Sequence, residues 1–251
     1  MIDYNNYLYL IAILVSLQTI IGVGILLLGT PILLIHNYFL SEIIFFLLPI
    51  SMCTSLINVI FFLIVSKTLR NNTYLNLQKK FFFSCIPGIF LGIFFLMIFE
   101  DNINIKFIVA IFILLSIILK YRFKNYILQI SEKFQKIILL LIGFIHGLTN
   151  AGGSLLSIFL IIKFDNDKLK SRFSITYFYF FLATIQYIFF IFIFNKKIEI
   201  DYLFKLIPYI FIGILLGNII SKKINPRIFQ LSIEGIAIIA SVILLLNALN
   251  Y

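Results

Sequence analysis

Charged residues are scarce in this chain, since only 12% of its 251 residues are Asp, Glu, Lys or Arg. Disordered proteins are rich in charge and poor in apolar side chains, so the composition excludes disorder. Cysteine is equally rare, because Cys53 and Cys85 are the only two and both lie within apolar runs. They cannot form a secreted disulfide framework, and no CxxC motif or Cys/His cluster is present to hold a metal. We expect both to be packing residues.

Groups that perform acid, base or metal chemistry are also few within the apolar runs. The two histidines, His36 and His146, lie far apart in sequence, and Glu234 is the one acid placed away from the ends of the predicted spans. An intramembrane enzyme needs several such groups close together, and a nucleotide-driven pump needs a P-loop, which the chain lacks. We therefore expect no enzyme activity, no cofactor and no metal site.

Apolar residues make up 62% of the chain, whereas soluble domains contain about 45–50%. A membrane-spanning helix needs about 20 mostly apolar residues, and polar punctuation divides the chain into eight such segments. The sequence therefore predicts an all-α, multi-pass integral membrane protein with short loops, which we expect in a bacterial inner membrane. The segments cover residues 7–36, 40–66, 80–99, 105–121, 134–163, 172–194, 203–220 and 227–248.

The first and fifth segments are unusually long, and each is interrupted near its middle. Glycines and a proline break the first at 22–31, and the stretch 143–154 breaks the fifth. Each arm then has about 12–16 residues, or roughly 18–24 Å of helix, which is too short for a hydrocarbon core of about 30 Å. A break within lipid must be buried in protein or line a cavity. Each segment is therefore either a kinked spanning helix or a re-entrant hairpin.

Loop charges distinguish these two interpretations. The net charge of +10 comes from 20 Lys and Arg against 10 Asp and Glu, and most of the bases lie in short loops. We expect them to set membrane orientation and to contact headgroups, and not to bind nucleic acid. If the fifth segment is a hairpin, 16 bases face the cytoplasm and 4 face outside; if it spans, the split is 12 to 8. Because cytoplasmic loops are enriched in bases, the hairpin is favoured.

An internal repeat supports the same topology. Residues 86–106 align with 207–227 at an offset of 121, with nine identities in 21 positions. The equivalent loops are acidic in one half (Glu100-Asp101-Asn102) and basic in the other (Ser221-Lys222-Lys223). This pattern predicts an inverted repeat of halves 1–125 and 126–251, each a broken or re-entrant hairpin plus three transmembrane helices. A parallel duplication of four spans is the alternative.

In each predicted hairpin the second arm begins at the tip, so its helix N-terminus points to the bilayer centre. Such an end carries unpaired N–H groups and about half a positive charge, and two converging ends form an anion site. We expect the tip glycines to let the backbone approach a ligand and neighbouring polar side chains to add donors. The candidate substrate-binding residues are Thr19, Gly22, Gly24, Thr30, His146, Thr149, Asn150, Gly152, Gly153 and Ser154.

Two ionisable residues and two glycine pairs have alternative interpretations. His146 is either a binding or coupling residue or a packed core histidine, and Glu234 either takes part in proton coupling or reaches towards basic residues. The pairs Gly88/Gly92 and Gly213/Gly217 predict close helix packing. Polar positions within spans two and six either serve the site or bond to helix backbone; they are Thr54, Ser55, Asn58, Thr176 and Gln186.

At the breaks the chain resembles the sulfite exporter TauE/SafE family, whose halves each carry a glycine-rich stretch close to G-x-G-G-G-x4-P. The first half matches at Gly22, Gly24 and Pro31, and Cys53-Thr54-Ser55-Leu56 is similar to the family's GTSL stretch. The second half matches at four glycines and departs at three positions where Gly, Gly and Pro are usual. The matches are Gly143, Gly147, Gly152 and Gly153, and the departures are Asn150, Ser154 and Phe159.

The resemblance implies a transporter, often an exporter, of sulfur-containing anions such as sulfite, sulfoacetate or other organosulfonates. The leading hypothesis is a secondary transporter that works by alternating access around a midplane site at the two tips. Its expected partners are a small anion and the lipid bilayer, and the sequence leaves the oligomeric state open. An anion channel, a membrane scaffold and an intramembrane enzyme are the alternatives.

Overall fold

The computed structural model describes residues 2, 4–65, 75–100, 104–122, 132–164, 168–195, 201–223 and 225–249. These residues form a short 3₁₀ turn and ten α-helices, and they contain no strand, which confirms the predicted all-α class. The helices are α1 Leu8–Ile21, α2 Ile25–Ile35, α3 Leu40–Val65, α4 Leu75–Phe99, α5 Ile105–Arg122, α6 Glu132–Thr149, α7 Gly152–Lys163, α8 Lys168–Phe194, α9 Asp201–Lys223 and α10 Pro226–Leu249. The first and fifth predicted segments are each divided into two helices.

The helices have the length and surface of a membrane protein. In the described part of the chain, α3, α4, α8 and α9 contain stretches long and apolar enough to cross a bilayer. Shorter apolar stretches occupy the other helices, among them Ile105–Ile118 of α5 and Glu234–Leu249 of α10. Large apolar side chains such as Phe83 and Phe192 are about 80% exposed (82% and 78%). This apolar surface is suited to contact with lipid.

The chain reverses direction at the first break. Helix α1 ends at Gly22, which has a φ of +96°, and its amide donates to the carbonyl of Gln18 at 2.7 Å. After α2, the ring of His36 lies 5.9 Å from the ring of Tyr7, at the start of α1. The outer ends of α1 and α2 therefore lie together, and we refer to the pair as hairpin 1, with residues 22–24 as its tip.

The second break has the same form. Asn150 follows α6 with a φ of +63°, and its amide donates to the carbonyl of His146 at 2.9 Å. Lys163, the last residue of α7, donates through Nζ to Oε1 of Gln135, in the first turn of α6, at 3.2 Å. We refer to α6 and α7 as hairpin 2, with residues 150–151 as its tip.

Glycines bring each hairpin close to one long helix, as the two glycine pairs predicted. Gly88 and Gly92 of α4 face backbone atoms of α6, and Gly213 and Gly217 of α9 face α1. A Cβ at Gly88 would meet the carbonyl oxygen of Leu140. No side chain fits between these helices, so their backbones are in direct contact.

Gly88 and Gly213 occupy corresponding positions against the hairpins that they contact, and so do Gly92 and Gly217. Each first member lies against the middle of its hairpin's first arm, and each second member lies one turn nearer the tip. The residue numbers of Gly88 and Gly213 differ by 125, whereas the offset of 121 in the sequence alignment pairs Gly92 with Gly213. The sequence alignment is thus displaced by one helical turn, because an apolar helix presents a similar pattern at every turn.

We expect Gly88→Leu to destabilise the protein by at least about 3 kcal/mol, because the added side chain overlaps backbone that cannot move aside. Thermal unfolding of the purified protein in detergent measures the effect. The matched control is Gly235→Leu, since a Cβ at Gly235 meets nothing within 4 Å. Equal unfolding midpoints for the two variants would contradict the packing described for α4 and α6.

Candidate functional site

The tip of hairpin 1 is capped by a buried glutamine. Gln18 donates through Nε2 to the carbonyl of Ser51 at 3.1 Å and to Oγ of Ser55 at 2.9 Å. Its Oε1 accepts from Oγ of Ser51 at 3.3 Å and from the amide of Ile25, the first residue of α2, at 3.4 Å. The first amide of α2 is therefore already bonded to a side chain of its own hairpin.

Thr19 joins this tip to α3 and α8. Its Oγ1 accepts from Nδ2 of Asn58 at 3.1 Å, and its carbonyl accepts from Nη2 of Arg172 at 3.0 Å. Gly22 lies against Thr176 of α8, so tightly that a Cβ there would overlap the neighbouring Ile175. Thr19 and Gly22 therefore lie together, as expected, and Asn58 and Arg172 are their partners.

The tip of hairpin 2 lies at the centre of a second polar group. Asn150 donates through Nδ2 to Oγ1 of Thr30 at 3.3 Å, which links the two hairpins directly. Nε2 of Gln186 donates to Oδ1 of Asn150 and to the carbonyl of His146, both at 2.9 Å. The structure thus brings Thr30, His146 and Asn150 together, and it adds Gln186 of α8.

Several polar atoms beside this tip lack partners. His146 is 0% exposed, and neither of its ring nitrogens has a hydrogen-bond partner among the described residues. Its ring lies 5.9 Å from the ring of Tyr179, which also packs on Gly153. Oε1 of Gln186 is buried as well, and it has no hydrogen-bond partner in the described part of the chain. Because buried polar atoms are rarely unpaired in native structures, these atoms mark a place where a ligand or water would bond.

The first amides of α7 face the same tip. Thr149 accepts the amide of Ala151 through Oγ1 at 3.2 Å, and Ser154 donates its amide to the carbonyl of Ala151 at 3.2 Å. Within the described residues, the amides of Gly152 and Gly153 donate to no protein acceptor. The amides of Leu26 and Leu27 at tip 1 likewise donate to no protein acceptor among the described residues, so each tip offers N–H donors beyond the one amide that a side chain caps. Among the described residues, tip 2 is distinguished by the unpartnered side-chain atoms of His146 and Gln186 beside it.

The two tips do not meet end to end. Asn150 contacts Thr30, which lies in the second turn of α2, about 8 Å along that helix from tip 1. The hairpins therefore overlap side by side. The expectation that two helix N-termini converge on a single point is corrected by this arrangement, because each arm is long enough to pass the other tip.

Ser154 and Glu234 line a separate small pocket between the hairpins, α5 and α10. The pocket has a volume of about 40 Å³, and Ser116 and Ser157 also line it. Roughly three water molecules fit in such a volume. Each of the three serine hydroxyls donates at 2.7 Å to the carbonyl three residues earlier in the chain: Ser116 to Ile113, Ser154 to Ala151 and Ser157 to Ser154. The pocket thus presents oxygen acceptors, and Glu234 lies apart from His146.

Polar residues, all buried except the half-buried Arg172, lie on one face of α3 and one face of α8 between the two tips. On α8 the residues stand at spacings of four, three and seven, which places them on a single helix face. We call this set the polar track; it consists of Ser51, Thr54, Ser55 and Asn58 on α3 and of Arg172, Thr176, Tyr179 and Gln186 on α8. Ala183, which is 0% exposed, continues the α8 face between Tyr179 and Gln186.

The track resolves the alternatives for the polar positions in spans two and six. Thr54 and Thr176 bond to carbonyls of their own helices, whereas Ser55, Asn58 and Gln186 bond to the hairpins. Arg172 was counted as a loop base, and that assignment is wrong, because its guanidinium lies against tip 1. Five other bases in the charge count lie outside the described residues: Lys67, Arg70, Lys124, Lys196 and Lys197.

Comparison with known proteins gives one match. A family model described as "Sulfite exporter TauE/SafE" matches residues 7–244 of the 251. No curated protein and no solved structure matches the chain.

Proposed function

We propose, since the chain belongs to the sulfite exporter TauE/SafE family, that it is a secondary transporter which exports sulfite or organosulfonates across a bacterial inner membrane. Family membership alone implies a multi-pass membrane protein that transports anions of the sulfite type. The finer proposal is supported by the arrangement of polar groups at tip 2. There, the free amides of Gly152 and Gly153 lie beside the unpartnered ring of His146.

The chemistry of tip 2 suits an oxyanion. The N-terminus of α7 contributes about half a positive charge and N–H groups directed at the tip. Asn150 and Gln186 supply further polar groups, and the imidazole of His146 has a nitrogen available to donate. Sulfite and sulfonates present three oxygens, each an acceptor. In this buried place each hydrogen bond to a charged oxygen is stronger than in water.

We further propose that halves 1–125 and 126–251 form an inverted repeat. Two features support it. Hairpin 1 packs on α9 and hairpin 2 packs on α4 through corresponding glycine pairs. The outer ends of the hairpins also lie at opposite ends of the bundle. Asn37, after hairpin 1, accepts from Lys106 at the start of α5, which follows the end of α4 in the chain. Hairpin 2 ends at Lys163, shortly before α8 begins, and α8 contacts the start of α4, because Gln78 donates to Tyr177. Rocking of one half against the other would then expose tip 2 alternately to each side.

Cysteine labelling tests this topology. With Cys53 and Cys85 replaced by alanine, we expect Lys136→Cys and Lys163→Cys to react with an impermeant maleimide from the same side of the membrane, because both lie at the open end of hairpin 2. Asn37→Cys should react from the opposite side only. Reaction of Lys136→Cys and Lys163→Cys from different sides would show that α6 and α7 cross the membrane, and would contradict the inverted repeat.

Transport itself is tested with the purified protein in liposomes. We expect saturable uptake of radiolabelled sulfite that sulfoacetate inhibits, and uptake equal to that of empty liposomes would contradict the proposal.

A pH gradient tests coupling, for which Glu234 and its pocket are the candidate. Glu234→Gln is then expected to remove the response to the gradient while sulfite exchange at equal pH continues. Loss of both activities would assign Glu234 a structural role.

A further inference from the structure

We propose that Arg172 binds the transported oxyanion where it enters the polar track, at the end of the bundle that carries Lys163 and Lys170. This second contact lies near tip 1 and is distinct from tip 2. The inference rests on the proposed transport function, because it names the residue that would take up the anion of that same pathway.

The half-buried guanidinium of Arg172 has two partners among the described residues. Its Nη2 donates to the carbonyl of Thr19 at 3.0 Å, and it lies over the ring of Phe62 at 5.4 Å from the ring centroid. Its Nε is buried and has no hydrogen-bond partner in the described part of the chain. Among the same residues, no carboxylate pairs with Arg172, so the structure holds a positive charge without a negative counterpart.

Such a charge is costly within a membrane-spanning helix, and it normally has a partner there. The carbonyl of Thr19, near the C-terminal end of α1, offsets part of the charge because that end of a helix is partially negative. The guanidinium has five N–H groups in a planar fork that fits two oxygens of one oxyanion. Phe62 fixes the plane of this fork through its ring face. The remaining N–H donors of Arg172 therefore suit an oxyanion that binds reversibly.

The position of Arg172 places it at the start of the polar track. It lies in the second turn of α8, one turn before Thr176, which contacts the glycine of tip 1. Gln186, at tip 2, lies fourteen residues further along the same face, or about 21 Å. An anion at Arg172 is therefore too far from tip 2 to contact both sites at once. The polar track lies between them.

The phosphate of a lipid headgroup has the same oxyanion chemistry. The contacts of Arg172 favour the transported anion, because its partners belong to α1 and α3 and lie within the bundle, whereas a headgroup would approach from the lipid side. The lipid composition of the vesicles separates these two sources.

The test measures initial rates of sulfite uptake from the side of the membrane that carries Lys170. Inside-out and right-side-out vesicles are compared for wild type, Arg172→Gln, Arg172→Lys and the matched control Lys170→Gln, which removes the same charge from an exposed position two residues away. We expect Arg172→Gln to raise KM on that side by about tenfold or more, in line with loss of a charge-assisted hydrogen bond. The kcat of Arg172→Gln, and its KM measured from the other side, should change less than about threefold. We expect an intermediate KM for Arg172→Lys and wild-type values for Lys170→Gln.

Each outcome of the test has a distinct meaning. An unchanged KM in a folded Arg172→Gln protein overturns this inference and leaves the proposed function in place, whereas absence of saturable uptake by wild type overturns both. A rise in KM that occurs with phosphatidylglycerol vesicles but not with vesicles of digalactosyldiacylglycerol, whose headgroup has no phosphate, assigns the charge to a lipid headgroup, and also overturns the inference. If Arg172→Gln does not fold, Arg172→Lys decides: a raised KM at an unchanged unfolding midpoint supports the inference, and an unchanged KM contradicts it.

Discussion

Replacement of Gly152 by alanine is expected to reduce sulfite transport by about 100-fold or more. A Cβ at this position would lie 2.5 Å from Cβ of His146 and 2.5 Å from the carbonyl oxygen of Ile142. The carbonyl belongs to the backbone of α6 and cannot rotate away, so the start of α7 must move away from α6. A displacement of about 1 Å at a binding site can cost 100-fold in rate, and here it would separate the α7 amides from the ring of His146.

Uptake of radiolabelled sulfite by equal amounts of reconstituted protein measures this effect. Gly235→Ala is the control, because it adds the same methyl group in a helix where nothing lies within 4 Å. If Gly152→Ala retained more than half of the wild-type rate, tip 2 would not be the anion site. Thermal unfolding of both variants separates a local change at the tip from loss of the fold.

The second large effect is expected at Asn150, where backbone conformation and side-chain bonding can be separated. Asn150→Gly keeps the positive φ but removes the bonds to Thr30 and Gln186. A buried group left without its partner costs about 1–3 kcal/mol, so we expect a loss of transport of roughly tenfold or more. Asn150→Ala should be worse still, because a left-handed conformation costs about a further 1–2 kcal/mol for a residue with a Cβ.

The uptake rates of the three proteins are measured. We expect the rate to fall from wild type to Asn150→Gly and again to Asn150→Ala. Asn195, which also has a positive φ, follows α8 and is exposed, so Asn195→Gly serves as the control and should transport at the wild-type rate. Equal rates for wild type and Asn150→Gly would mean that only the backbone turn matters at this position. The link between the hairpins through Thr30 would then have no part in transport.

The hairpins could be predicted from the sequence because their signals are local. A break such as Gly22 to Gly24 interrupts an apolar run visibly, and the length of each arm and the charge of the flanking loops do not depend on distant residues. The glycine pairs of α4 and α9 were recognisable for the same reason. Their register was not, since an apolar helix looks alike after every turn, and the contacts that distinguish Gly88 from Gly92 come from another helix.

The difference between the tips could not be predicted, because it depends on which side chains reach each helix end. Gln18 has no local pattern that identifies it as the cap of α2; its position is set by Ser51 and Ser55 of α3. Arg172 stands four residues after the start of α8 among other bases, so its sequence neighbours indicate a loop. Only the packing of α1 against α8 shows that its guanidinium reaches Thr19. The spacing of polar residues along α8 was the one signal in the sequence that pointed to the track.

Counterflow of sulfite tests the central claim most directly, because it depends on a site that binds an anion and faces one side at a time. Liposomes containing the protein are loaded with unlabelled sulfite and diluted into medium with a trace of radiolabelled sulfite. A transporter with alternating access is predicted to accumulate the label transiently above its external concentration. Its accumulation should disappear in Gly152→Ala and persist in Gly235→Ala. Entry of label that rises only to equilibrium, with or without internal sulfite, would indicate a channel and would contradict the account.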